Sequence, residues 1–191
     1  MKKIMFNDRY GLTKAVLEGR KTMTRRAVPI LLQCRAFEKY QDEGERREYA
    51  ISKAQYKPGE VVAVAQAYRD AINPLDWVNT LIYKNEPGWT NKMFVGADLM
   101  PHQIFINAVR VERLQDISDE DCLREGIREV SPLRSLICLN ASTYQIDGPG
   151  CENIHYTSPR GAFAALIDKV SGKGTWASNP WVYVYEFELV K

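Results

Sequence analysis

Four basic side chains and two hydroxyls are concentrated in residues 19–26, Gly-Arg-Lys-Thr-Met-Thr-Arg-Arg. These six residues are Arg20, Lys21, Thr22, Thr24, Arg25 and Arg26. Cations this close repel one another unless water or an anion lowers the cost. Phosphate suits them, because arginine offers it a bidentate fork and lysine a compact charge. The octet therefore predicts a phosphate-binding turn; the alternative is a basic turn that is simply exposed to water.

The positive charge of the chain is concentrated at its start. The first 35 residues carry nine basic and two acidic side chains, a net charge of +7, while the whole 191-residue chain carries +2. The remaining residues therefore have a net charge of −5. This asymmetry favours a local anion site over a surface that wraps DNA.

The composition is that of a globular protein, with 45% hydrophobic and 26% charged residues. No apolar run approaches the roughly 20 residues of a membrane span, and no long apolar stretch follows the N-terminal lysines as in a signal peptide. The four cysteines are scattered at positions 34, 122, 138 and 151. We therefore expect a cytoplasmic protein with reduced thiols, one domain over residues 1–191 and no membrane partner.

Several elements can be predicted around the octet. A first helix carries Leu12, Ala15 and Val16 on one face, capped by Asn7 or Asp8 and ended by Gly19. Further helices are expected after Ser118, ending at Gly126, and after Ser158-Pro159, while residues 41–48 form a loop or a short surface helix. Strands are expected at residues 22–28, 61–65, 80–83, 104–114 and 181–190.

The strands and short helices together predict an α+β fold built on a small, mainly antiparallel β-barrel. In the last strand, alternate positions from Trp181 to Leu189 form one face, and those from Val182 to Val190 form the other. Residues 129–156 contain Pro132, Gly148 and Pro149, and this composition predicts a long irregular insertion.

The order of the motifs resembles the ASCH family of PUA-like proteins, in particular its phage and prophage members. The matching segments are residues 17–26, 56–60, 109–117, 120–127, 172–176 and 179–183. The resemblance extends over nearly the whole chain and implies a PUA-like barrel with a cleft that binds RNA or a nucleotide. Relative to small members of the family, insertions are expected at about residues 31–56, 68–92 and 128–156.

Some small members of this family resemble amidohydrolases that deacetylate N4-acetylcytidine with a lysine, a threonine and a glutamate. By motif position these residues correspond to Lys21, Thr24 and Glu125. Lys21 would take the proton of Thr24, and Glu125 would orient Lys21 or protonate the leaving amine. There are also alternatives without catalysis. Lys21 and Glu125 would then form an ion pair that only joins two elements, and Thr24 would have no catalytic role.

The leading hypothesis is a protein that binds RNA or a modified nucleotide without a metal or organic cofactor. Arg20, Lys21, Arg25 and Arg26 would contact phosphate, and Lys173 with Trp176 would add a second charge and a stacking ring. The alternatives are the amidohydrolase and a non-catalytic interaction module of a phage or mobile element.

Other candidate sites have weaker patterns. The spacing of Cys138, Cys151 and His155 fits no common zinc motif, and Cys122 on a helix suits a buried thiol better than a nucleophile. The segment Gly172-Lys173-Gly174 lacks the context of a P-loop.

Overall fold

The computed structural model describes residues 1–73, 76–130, 143–151 and 154–190. These residues form a mixed α+β structure around one five-stranded sheet. The helices are α1 (Leu12–Leu17), α2 (Ile30–Lys39), α3 (Glu43–Ser52), α4 (Tyr68–Ala71), α5 (Trp77–Tyr83), α6 (Asp119–Arg124), α7 (Pro159–Ser171) and α8 (Thr175–Ser178). The strands are β1 (Lys3–Ile4), β2 (Met23–Ala27), β3 (Val61–Val64), β4 (Gln103–Arg113), β5 (Arg128–Val130), β6 (Thr143–Gln145) and β7 (Trp181–Val190).

The main sheet has the strand order β1-β3-β4-β7-β2, and only the β1–β3 pair is parallel. The predicted α+β class and the mainly antiparallel pairing are confirmed. The edge strands β1 and β2 do not pair with each other, so the sheet is open and the predicted barrel is wrong. Helices complete the burial of the sheet instead: α2 and α3 lie on one side, and α6 packs on the other.

The two sides of the sheet differ in chemistry. We call the side with Thr24, Arg26, Val111, Tyr183 and Tyr185 the front face, because cross-strand register aligns these alternating positions. The back face contains Met23, Arg25, Arg110, Glu112 and Glu186. The alternation predicted for the last strand is therefore confirmed.

Several helix predictions need correction. Helix α1 begins after Gly11, whose left-handed φ of 64° separates it from a short 3₁₀ turn, so neither Asn7 nor Asp8 caps it. Residues 80–83 are helical and not a strand, because the Asp76 carboxylate accepts from the Asn79 amide and starts α5. The surface-helix alternative for residues 41–48 is confirmed by α3, which Asp42 caps.

The segment 129–156 is less irregular than predicted within its described part, since β5 and β6 pair as a small antiparallel ladder. Cys138 lies outside the described residues. Among the residues that are described, none of the helices is both long and apolar enough to cross a bilayer.

Candidate functional site

The predicted contact between Lys21 and Glu125 is present. Lys21 lies just before β2, and Glu125 follows the last turn of α6. The lysine Nζ donates to Glu125 Oε2 at 2.6 Å and to the Glu125 carbonyl oxygen at 2.7 Å. Both residues are buried, with exposures of 2% and 4%.

Gly126 allows this contact by turning the chain immediately after Glu125. Its φ is 104°, a conformation that side chains rarely adopt, and a Cβ there would lie 3.4 Å from Leu12 and 3.7 Å from the Lys21 Cβ. The predicted end of the helix at Gly126 is thus confirmed.

The environment of Lys21 makes its ammonium group easier to deprotonate than that of an ordinary lysine. Burial lowers the pKa of the ammonium group, and the opposing attraction of Glu125 does not restore it. Nearby Arg26 and Arg25 lower the pKa further by like-charge repulsion. The Nζ also lies 5.9 Å from the centre of the Phe6 ring, which packs on Phe187 of the front face.

Thr24 lies on the front face, opposite Tyr185 in the neighbouring strand. It is 7% exposed, and its hydroxyl makes no hydrogen bond within the described part of the chain. The Glu125 carboxylate that pairs with Lys21 also pairs with Arg25 of the back face at 3.1 Å. The structure therefore brings Lys21 and Glu125 together, whereas no hydrogen bond or ion pair of the described residues joins either of them to the Thr24 side chain.

Arg25 points to the back face and is fully engaged. Its guanidinium pairs with Glu112 at 2.6 Å, Asp121 at 2.9 Å and Glu125 at 3.1 Å, and its side chain is 1% exposed. Burial alone would lower the pKa of Arg25, but these carboxylates outweigh it and raise the pKa. No part of this guanidinium remains for a phosphate, contrary to the predicted role of Arg25.

Two more arginines extend this back-face cluster. Arg110 pairs with Glu112, Asp121 and Glu186, and Arg124 pairs with Asp121 and Glu186. The acidic partners were not predicted from the sequence. Two sequence patterns could have indicated these acidic partners: the acidic first turn of α6 and the Arg-x-Glu alternation on β4.

Arg26 and Arg20 keep unused donors. Arg26 Nη2 donates to the Met5 carbonyl oxygen at 2.7 Å, but its Nε is buried without a partner within the described structure. Arg20 pairs with Glu18 at 2.8 Å and with Asp147 at 3.4 Å, and its Nη1 is likewise buried and unpaired there. Arg26 shares the front face with Thr24.

The second predicted region is organised differently. The Trp176 ring packs edge-to-face on Phe163 at 6.1 Å, and the Arg160 guanidinium lies 5.3 Å from its centre. Neighbouring Lys173 is exposed. None of the ring contacts or hydrogen bonds of Trp176 in the described residues reaches Lys21, Thr24 or Glu125.

Other reactive groups are isolated. Cys122 is fully buried, and burial raises its thiol pKa to about 12, so a thiolate is disfavoured. No three His, Cys, Asp or Glu side chains of the described ranges gather into a group that could hold a metal.

Comparisons with models of protein families, with curated proteins and with solved structures give no match for this chain. The resemblance to the ASCH family accordingly depends on the sequence motifs alone.

Proposed function

We propose that this protein binds a modified nucleoside or nucleotide on the front face and hydrolyses an amide bond of that ligand. The observation that carries the proposal is the buried 2.6 Å contact between Lys21 and Glu125. Three positions after Lys21, the Thr24 hydroxyl has no hydrogen-bond partner among the described residues. Both the nucleoside class of the ligand and the type of reaction come from the motif resemblance, and the contact between Lys21 and Glu125 is consistent with the roles that the resemblance implies.

The reaction begins with attack of Thr24 Oγ1 on the amide carbonyl carbon. In this scheme the hydroxyl proton passes to the amine form of Lys21, which the lowered pKa makes easier to reach than in an ordinary lysine. Collapse of the tetrahedral intermediate breaks the C–N bond, and the proton leaves with the amine. Water then hydrolyses the Thr24 ester and releases the carboxylic acid.

Glu125 and Arg26 have supporting roles in this scheme. The Glu125 carboxylate holds Lys21 in place and stabilises the ammonium form that appears after proton transfer. The unpaired Nε of Arg26 is a donor on the same face as Thr24, where it can stabilise the oxyanion.

Binding of RNA or a nucleotide without turnover is the second candidate. The unpaired nitrogens of Arg20 and Arg26 favour it, because buried donors of this kind normally find a partner. Arg25 does not contact the ligand in either candidate function, because three carboxylates surround its guanidinium.

Incubation with N4-acetylcytidine, followed by chromatography of released cytidine and acetate, tests the reaction. Thr24→Ala should lower kcat by about 10²-fold or more while the thermal unfolding midpoint stays near that of the wild type. Thr22→Ala is the matched control, since Thr22 accepts only a 3.3 Å hydrogen bond from Arg124, and should retain turnover.

Full activity in Thr24→Ala would exclude the nucleophile role. If the wild type shows no turnover but binds RNA with an affinity that decreases steeply with salt, the second candidate replaces the first. If the wild type shows neither turnover nor binding, the non-catalytic interaction module is the hypothesis that remains.

A further inference from the structure

A separate cavity lies on the front face between helices α2 and α3 and the strands β4 and β7. Its volume is about 220 Å³. Apolar side chains line much of it, among them Val28, Ala36, Ala50 and Val111. Val28 is four residues beyond Thr24, about 13 Å along an extended strand, so the cavity is distinct from the proposed catalytic residues.

The rim of the cavity is rich in arginine. Arg46, Arg47 and Arg113 line it, with Glu43 as the acidic lining residue. Arg47 pairs with Glu43 at 2.6 Å, but both side chains are about half exposed and such a pair is weak. Within the described residues, Arg46 and Arg113 form no salt bridge.

These guanidinium groups are already held in place. Arg46 Nε donates to the Tyr40 carbonyl oxygen at 2.8 Å, and its guanidinium lies 4.2 Å from the centre of the Phe37 ring. Arg113 Nη1 donates to the Asn179 carbonyl oxygen at 3.2 Å, and the central carbon of its guanidinium lies 4.5 Å from the centre of the Trp181 ring. Each arginine therefore retains further N–H donors for an anion with little ordering cost.

The size and lining of the cavity limit the ligand. Its volume is below the roughly 300–1,000 Å³ typical of sites that enclose a drug-sized molecule, so it suits one ring system. Stacked guanidinium groups and the aromatic rings offer flat surfaces to such a ring. Gln33 donates its side-chain NH₂ to the Val28 carbonyl oxygen at 2.8 Å, which leaves its own oxygen to accept from an amino or imino group.

We propose that this cavity binds a nucleoside monophosphate, with the base between α2 and the sheet and the phosphate on Arg46 and Arg113. The proposal goes beyond the amide hydrolysis, because it uses neither Lys21 nor Thr24 and concerns a second ligand site. The excess of rim arginines over carboxylates supplies the charge complementarity, and the apolar lining selects a ring over a bare anion.

Isothermal titration of the full chain with the four common ribonucleoside 5′-monophosphates, the matching nucleosides and inorganic phosphate tests this site. At least one monophosphate should bind tenfold or more tightly than its nucleoside and than phosphate. Arg113→Gln and Arg46→Gln should each weaken that binding about tenfold. Arg69→Gln, which removes an exposed arginine from α4 outside the cavity lining, should not change it.

Ala50→Leu adds bulk at the cavity wall and should abolish monophosphate binding. Thr24→Ala should leave the affinity for the monophosphate unchanged. Failure of the catalytic proposal can therefore be distinguished from failure of this one. Absence of monophosphate binding, equal affinity for the nucleoside, or unaltered binding in both arginine variants would overturn the site. Circular dichroism melting of every variant checks that the fold is retained.

Discussion

At the scale of single residues, neighbouring positions of one short strand have separate tasks. Arg25 faces a cluster of carboxylates, whereas Thr24 and Arg26 face the opposite side with polar atoms that have no partner among the described residues. The alternation of a β-strand imposes this division, because consecutive side chains must point in opposite directions. A run of four cations can therefore include a structural arginine and still leave donors for a ligand.

The pH dependence of turnover should report the titration of Lys21. Because the neutral amine accepts the Thr24 proton, kcat/KM should rise with pH through the lowered pKa of Lys21, below its ordinary value of 10.5. In Glu125→Gln the carboxylate that favours the ammonium is lost, so this midpoint should move to lower pH.

Profiles of kcat/KM for the wild type and Glu125→Gln measure the shift, and Glu18→Gln, at an exposed position, serves as the control. A midpoint that stays in place or moves to higher pH would contradict the assignment of Lys21 as the base.

At the scale of elements, the sequence predicted those with strong local signals. The alternating apolar residues of β4 and β7 and the Ser118 cap of α6 are visible in the chain itself. Helix α5 was mistaken for a strand, because residues such as Leu81 and Ile82 are apolar yet largely exposed. The contact of Lys21 with Glu125 spans 104 positions, so only motif order predicted it. The pairing of Arg25 with Glu112 depends on strand register, and its pairing with Asp121 and Glu125 depends on the packing of α6; local patterns encode neither.

The back-face cluster should hold α6 against β2 and β4. Arg25→Met removes the cation that three carboxylates share while keeping much of its volume. We expect a loss of about 3–5 kcal/mol in the free energy of unfolding, because buried charges lose their partner. Urea unfolding measures the loss.

Arg69→Met is the control, since Arg69 pairs with Asp70 at 3.4 Å where both side chains are more than half exposed. It should change the free energy by no more than about 0.5 kcal/mol. Equal effects in the two variants would show that the cluster contributes little to stability.

At the scale of the whole molecule, the segment between β2 and β3 forms a cover over the front face. The cover consists of α2 and α3, and it contacts Tyr183 and surrounds the arginine-rimmed cavity. Lys21 and Thr24 are both less than a tenth exposed, so little of either side chain is in contact with solvent. The sheet beneath has its longest ladder between β4 and β7, so local opening of the cover should cost less than unfolding of the centre.

Tyr183→Phe tests whether the cover opens independently of the sheet. The Tyr183 hydroxyl donates to the Ala50 carbonyl oxygen at 3.1 Å and thereby ties α3 to β7. Loss of this hydrogen bond should lower the free energy of opening of α3 by about 0.5–1.5 kcal/mol. Amides of α3 should therefore exchange with solvent about two- to tenfold faster. Amides in the centre of β4 and β7 should accelerate less if the opening is local.

Tyr144→Phe is the control, because the Tyr144 hydroxyl makes no hydrogen bond in the described structure. Equal acceleration throughout the sheet and α3 would mean that the cover and the sheet open as one unit.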